Sequence, residues 1–455
     1  MKRTIWMASA FLGLGACVLS AGNVGWRMDG TGRFPGVTVP LHWDKAECVV
    51  WKTPTPKWSN ASPILVGDRI FICAEPDSVL CLNKLTGEIL WQHSNSYADI
   101  APEADRDAIR KKMAQVGERD KQINDLQGKL RQLEKTAKEK PDDADIQAAI
   151  ATNKVEQNLR REERKAVQDY ALPSTHGANG LTSCTPVTDG TRVFTFFGNG
   201  VAVAYDLEGK RLWARVVEKP TEGWGHSASP VLTEGLLVIQ VRDVHGLDPA
   251  SGETVWTAKS KPRWGACVGA VIDGQGVVIT ANGEIIRAKD GLVLASGLHG
   301  LEYCAPLVHE GVVYFIENGG KAFRLPAKAD GTEKPELLWQ TAPPKERYYA
   351  SPLYHDGMIY CINQQRVYSI IDAQNGKVLK SETIKSLRQT AYPSVTLAGA
   401  YICLGAEGGS TVFLESGAEM KEVAASTIGS FRTTPVFEND RVYIRTLDAM
   451  ICIRP

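Results

Sequence analysis

The stretch SPILVGDRIFICAEPDSVLCLNKLTGEILWQ, Ser62 to Gln92, decides the fold. It reads as a small residue and a proline, an apolar run, a Gly-Asp turn, two further apolar runs, and a Thr-Gly turn into a strand that ends on tryptophan. Short apolar runs bounded by such turn residues are strands. The same order returns in TPVTDGTRVFTFFGNGVAVAYDLEGKRLW from Thr185 and in SPVLTEGLLVIQVRDVHGLDPASGETVW from Ser229. These are copies of one unit, and a unit recurring at a fixed period defines a repeat architecture.

Anchoring on the proline gives Pro63, Pro186, Pro230, Pro306, Pro352, Pro393 and Pro435, with a degenerate copy around Gly269, so eight units are expected. The spacings of 44, 76 for two units, 46, 41 and 42 residues suit four short strands per unit, as in a propeller blade. The long first interval shrinks to 50 once residues 99–171 are set aside as an insertion. The last unit, TTPVFENDRVYIRTLDAMICIRP, stops after three strands, while CVVWKT at Cys48 to Thr53 matches the missing Trp-ended strand. The beginning of the chain therefore completes the final blade, which removes the edges an open sheet would expose. The expected fold is all-β: an eight-bladed β-propeller over 48–98 and 172–455, closed by its N-terminal strand. That closure puts Cys48 and Cys452 on neighbouring strands, within reach of a disulfide if the register allows.

Between Ala101 and Tyr170 the composition changes to 16 basic and 15 acidic residues in 70. Ile109, Met113, Val116, Ile123, Leu126, Leu130 and Leu133 follow a coiled-coil seam, Pro141-Asp142-Asp143 breaks it, and Ile146, Ile150, Val155, Leu159, Ala166 and Tyr170 form a return face. The insertion is expected to be an α-helical hairpin, an antiparallel coiled coil with arms of about 55 Å and 43 Å at 1.5 Å per residue. It leaves between the first and second blades, where it would serve as a docking lever, a lid, an oligomerisation element or a silent solvated insertion.

The whole chain has 455 residues, with 52 Lys plus Arg and 52 Asp plus Glu. A net charge of zero offers no field for nucleic acid or anionic lipid. Lys2 and Arg3 precede an apolar stretch from Ile5 to Leu19 followed by small residues, the pattern of an export signal over residues 1–22. Leu14-Gly15-Ala16-Cys17 resembles a bacterial lipobox, which would make Cys17 a lipidated N-terminus; simple cleavage near Ala21 or Gly22 is the other reading. Residues 23–47 form an N-terminal extension. Exported, the protein would work in the periplasm or at the outer membrane, touching a membrane only through such an anchor. The remaining cysteines sit mostly in apolar runs, as Cys73 and Cys403 do, and read as small core residues. The sequence has no CxxC pair, CxxCH, GxSxG, HExxH or P-loop.

The runs GLDPASGETVW at Gly246–Trp256 and CLNKLTGEILW at Cys81–Trp91 resemble the Ala-x-Asp-x-x-Thr-Gly-x-x-x-Trp signature of the quinoprotein-type propeller repeat. The resemblance covers about three quarters of the chain and extends to the BamB-like, or PQQ-binding-like, exported propellers. It implies a scaffold of outer-membrane protein assembly, lipid-anchored in that family. Relatives that oxidise alcohols or sugars carry an adjacent Cys-Cys pair and a calcium site beside pyrroloquinoline quinone. No Cys-Cys dipeptide occurs in this sequence. In the fourth, sixth and seventh units Ala295, Lys380 and the stretch near Val423 stand where the tryptophan should be.

One set of residues lies just before each inner strand: Trp58, His176, Trp224, His226, Trp264, Tyr303, Tyr348, Tyr349, Arg388, Tyr392 and Arg432. Equivalent repeat positions place them in a ring at one channel mouth, where aromatic and cationic groups can hold a protein partner, a small flat ligand or a glycan. The expected function is a non-catalytic scaffold that binds a partner in the cell envelope at this mouth, with no catalytic residue, metal or cofactor. A dehydrogenase using pyrroloquinoline quinone with calcium is one alternative, and a polysaccharide-binding propeller is another.

Overall fold

The computed structural model describes residues 23–455. The signal segment and Cys17 lie outside the described residues. Eight four-stranded antiparallel sheets follow one another, each in meander order, and the inner strands of successive sheets lie side by side around a central channel. The first blade runs through Ile64–Val66, Arg69–Ala74, Ser78–Asn83 and Ile89–Ser94. The fourth, around Gly269, is built from Val268–Ile272, Gln275–Ile279, Ile285–Arg287 and Val293–Ala295. Second and third strands are buried almost throughout, whereas fourth strands alternate between covered and exposed, as expected of a blade's outer edge.

The ring closes as the sequence requires. Val49–Pro54 pairs antiparallel with Ala449–Ile453, and Trp51 lies opposite Cys452. Cys48 is displaced along this ladder: its carbonyl accepts from Arg454 N at 2.9 Å. Cys48 and Cys452 therefore do not pair, and all nine cysteines among the described residues are buried free thiols.

Near the axis the small residue before each inner strand works as a rung. Backbone N–H groups donate to the next blade's hydroxyl from Ser62 to Thr185, Thr185 to Ser229, Ala305 to Ser351, Ser351 to Ser394, Ser394 to Thr434, and Thr434 back to Ser62, all within 2.9–3.2 Å. The two missing steps fall where Val268 and Ala305 carry no hydroxyl to accept the bond.

At the rim the tryptophans join blades. Trp51, Trp91, Trp213, Trp256 and Trp339 each donate their indole N–H to a turn carbonyl of the following blade: Lys84, Leu207, Pro249, Ala288 and Ala373 respectively. The ring then covers that turn's glycine. A Cβ on Gly87 would come within 2.5 Å of Trp51, and its φ of +76° already excludes most side chains. The three units without this tryptophan solve the joint differently. Beside Ala295, the longer turn of the fifth blade brings Gly331 up against Leu294. Lys380 donates its ammonium to Glu419 O at 3.0 Å. In the seventh blade the register puts Ala424, not Val423, opposite Phe413, and Trp43 from the N-terminal extension packs edge-on to Phe413 and against Phe437.

Residues 23–47 form a strap across the channel end opposite the strand-entry mouth. Val24 bridges to Thr188 in the second blade, and Arg33–Phe34 adds a parallel strand to Thr396–Ala398 in the seventh. Between them Arg27 is 1% exposed and donates to Pro352 O at 2.8 Å and Val395 O at 2.6 Å. Burial pulls its pKa down to about 10, so the guanidinium stays charged at neutral pH and is held by carbonyl dipoles.

The insertion contains α1 (Tyr97–Ile100), α2 (Arg106–Glu139) and α3 (Ala144–Lys165). Helices α2 and α3 pack as a hairpin of about 51 Å and 33 Å at 1.5 Å per residue, so the return arm is shorter than the expected 43 Å. Val116 and Leu126 of α2 are buried in the seam. The return face differs from the expected one. Asn153 and Gln157 face inward, Asn153 donating to Leu126 O and Gln157 to Asn153, while Val155 and Leu159 are 70% and 53% exposed. Ala166 lies past the helix end, and Tyr170 carries Lys112 over its ring. The base is fixed to the second blade by Tyr97, whose hydroxyl donates to Asn199 O at 2.7 Å, and by Arg211 donating to Asp99 O at 2.7 Å.

Candidate functional site: the channel mouth

The loops that lead into the inner strands bring most of the predicted ring into one contact chain. Trp264 of the fourth blade stacks on Tyr303 of the fifth with centroids 5.5 Å apart. Tyr303 meets Tyr349 of the sixth edge-on at 4.9 Å, and Tyr349 stacks on Tyr392 of the seventh at 4.8 Å. Arg432 of the eighth blade lies between Tyr392 and Trp58, its guanidinium 5.6 Å and 5.9 Å from their centroids. On the other side His176 and Trp224 pair at 4.5 Å, and Trp264 donates its indole N–H to Gly225 O at 3.0 Å. The belt thus draws on every blade.

Polar groups fix it. Glu407 binds Arg432 through Nε at 2.7 Å and also through Nη2, leaving Nη1 to donate to Ala178 O at 2.9 Å. A charge-assisted pair of this kind aims a guanidinium that would otherwise sample many rotamers. Glu75 holds the second blade's loop by accepting from Leu181 N, Thr182 N and the Thr182 hydroxyl. This brings Gly180 under Trp58, so close that a Cβ would lie 2.6 Å from the ring. Glu317 accepts from Glu302 N at 2.6 Å and Tyr303 N at 2.8 Å, setting the direction of Tyr303; burial raises its pKa to about 7.

Three predicted members do not take part. His226 is 3% exposed, lies edge-on to Phe196 and shares Nε2 with Ala228 O; burial lowers its pKa to about 4, so it is a neutral core residue. Tyr348 is fully buried and donates to Pro344 O. Arg388 is exposed and fixed through its backbone to Ser410, apart from the stacked chain. Neighbours in an extended segment point to opposite sides, which is why Tyr349 reaches the mouth and Tyr348 the core. The sequence reading also missed Glu75, Glu317 and Glu407, which aim the belt. Glu75 and Glu407 stand at the same point of their units, each eight residues past the glycine of the turn between the first and second strands, Gly67 and Gly399, and that recurrence is the signal that would have found them.

Because the tyrosines stack on one another, they present edges and hydroxyls to a visitor more than open faces. Trp224 is the exception: it is 58% exposed with one face on His176. Among the described residues no three His, Cys, Asp or Glu converge as a metal site would require, and no helix is long and apolar enough to cross a membrane.

Eight closed blades with a side-chain belt at the mouth define the β-propeller class. The chain belongs to the family described as outer membrane protein assembly factor BamB, which it matches over residues 41–242 and 240–454. Among solved structures it is similar to the crystal structure of BamB from Moraxella catarrhalis, with 11% identity and a TM-score of 0.55, over 89% of this chain and 97% of that one. It is also similar to the computationally designed Ika8 protein, with 10% identity and a TM-score of 0.54, over 89% of this chain and 99% of that one. No curated protein matches significantly.

Proposed function

We propose that this protein is an exported, non-catalytic scaffold of the cell envelope that holds a protein partner at its channel mouth and presents a rigid helical arm beside it. The observation that carries this reading is the convergence of Trp58, Trp224, Trp264, Tyr303, Tyr349, Tyr392 and Arg432 on one face. Tryptophan, tyrosine and arginine are the residues that dominate the binding energy of protein interfaces, because each supplies a large contact area at small entropic cost. Here their rotamers are fixed beforehand by stacking and by Glu407, which lowers the ordering cost of association. Membership in a family described by outer-membrane protein assembly supports the same compartment and class of partner.

The test is recovery of partners from native envelope by the full chain, by a Tyr349→Ala/Tyr392→Ala variant and by a chain lacking residues 99–171. A discrete envelope protein lost in the double variant supports the reading. Dye-linked alcohol or sugar oxidation on adding pyrroloquinoline quinone and calcium would replace it with the dehydrogenase reading. Quenching of tryptophan fluorescence by glycans alone would favour polysaccharide binding.

A further inference from the structure

The free end of the arm carries an open groove of about 750 Å³ between the last turns of α2 and the first turns of α3. Its floor is apolar, made by half-buried Ala137 and Ile150 with Pro141 at the turn. Its walls carry Arg131, Lys135 and Lys138 from α2, at i, i+4 and i+7, and Lys154 from α3. Glu134 is the one carboxylate among the lining residues, so four cations face one anion and the groove has a net charge of +3. At the turn, Asp143 is spent on the N–H groups of Asp145 and Ile146, and Asp142 does not line the groove. The arm does not treat its cations alike. Arg106, Arg110, Arg119, Arg160, Arg161 and Arg164 are each bonded to an acceptor within the arm. Arg131, the remaining arginine, and Lys135, Lys138 and Lys154 have no acceptor or ion-pair partner among the described residues.

Like charges at i and i+4 repel, so this row costs the helix a little unless something outside it supplies anions. A single small anion in so open a groove gains little from each exposed cation. A surface that carries many anions gains from all four at once, each cation acting within a Debye length of about 8 Å. The attraction is therefore local and needs no net charge on the chain. A partner helix is a poorer match, because Arg131 to Lys138 spans only about 10 Å at 1.5 Å per residue and the lining residues include no aromatic anchor. We infer that the end of the arm is a foot that rests on an anionic bilayer, with Arg131, Lys135, Lys138 and Lys154 against lipid phosphates and Ala137, Pro141 and Ile150 against the headgroup boundary. The foot lies at the end of the arm opposite its root at Tyr97 and Asp99, so it touches lipid while the root stays bonded to the second blade. This inference stands apart from the reading of the mouth.

The experiment is co-sedimentation of the full chain with vesicles of phosphatidylcholine alone and of phosphatidylcholine mixed with phosphatidylglycerol, at low and raised salt. The zwitterionic vesicles report whatever the N-terminal segment contributes, so the difference between the two compositions is the signal. The anionic vesicles are expected to bind more tightly, and the difference to shrink as salt rises. It should fall about thirtyfold in Arg131→Gln/Lys135→Gln, which removes two surface charges, and disappear in the chain lacking residues 99–171. Glu134→Gln removes the opposing carboxylate and should tighten binding about fivefold, a gain that damage to the arm would not produce. Equal sedimentation with both compositions would overturn the inference, as would an anionic preference that survives Arg131→Gln/Lys135→Gln. Pyrophosphate or polyglutamate bound in solution and lost in that variant, without a preference for anionic vesicles, would also overturn it, and would assign the groove to a free phosphate ligand or to an acidic protein respectively.

Discussion

The backbone N–H of Thr434 donates to Ser62 Oγ at 2.9 Å, joining residues 372 apart in sequence. This bond closes the eighth blade on the first beside the channel, while the pairing of Trp51 with Cys452 closes the eighth blade at its rim. Two seams at different radii hold one ring.

Ser62→Ala removes the acceptor and leaves a buried N–H without a partner, because Thr434 is 4% exposed. The expected loss is about 1–2 kcal/mol, the usual penalty for one buried unsatisfied donor, seen as a lower urea midpoint with unchanged slope.

Trp43→Ala should be costlier than any change at Lys380. Trp43 is 2% exposed between Phe413 and Phe437, so truncation opens a cavity and costs about 3–5 kcal/mol, concentrated where the strap meets the seventh and eighth blades. Limited proteolysis should then cut within residues 35–47 before it attacks the blades. Lys380→Ala, which removes one partly solvated hydrogen bond, should cost under about 1 kcal/mol.

Glu317 and His226 act on stability with opposite signs in the same pH window. Burial raises the carboxyl of Glu317 from 4.5 to about 7, so between these values the unfolded chain holds fewer protons and stability falls as pH rises. Burial lowers His226 from 6.5 to about 4, so in that range the unfolded chain holds more protons and stability falls as pH drops. As far as these two groups govern it, the parent profile is flat between pH 4.5 and 6.5. Glu317→Gln should gain stability as pH rises through this range, and His226→Phe should lose it, as chemical denaturation at a series of pH values will report.

The arm should behave as a separate unit. Lysines at both Val155 and Leu159 should leave stability within about 0.5 kcal/mol, because these side chains face solvent, whereas Leu126→Ala should cost about 2–4 kcal/mol of arm stability. Removing residues 99–171 should strip the helical signal from the circular dichroism spectrum and leave the β-sheet transition in place.

The blades were legible because most carry the same punctuation: a proline before the inner strand in seven of the eight, a positive-φ turn, and in five a tryptophan whose indole must find the next blade's turn. Closure followed from counting strands at the two ends. The belt was legible as a set of equivalent positions, but its members were not, since adjacent residues such as Tyr348 and Tyr349 go to opposite sides and only the fold decides which faces the channel. Trp43 lay outside the repeat and carried no periodic signal, although the vacancy at Ala424 existed to be filled. The return face of the arm was misread because burial there falls on Asn153 and Gln157. An apolar-periodicity rule passes over polar residues that satisfy each other inside a seam.

The most direct test of the central claim is photocrosslinking in the intact envelope, with benzoylphenylalanine placed at Tyr349 in the belt or at Thr38 in the strap on the opposite side. The account predicts a discrete protein adduct from position 349, absent from position 38 and abolished by Trp224→Ala/Tyr392→Ala. Equal labelling from both positions, or no adduct from position 349 while the strap yields one, would contradict it.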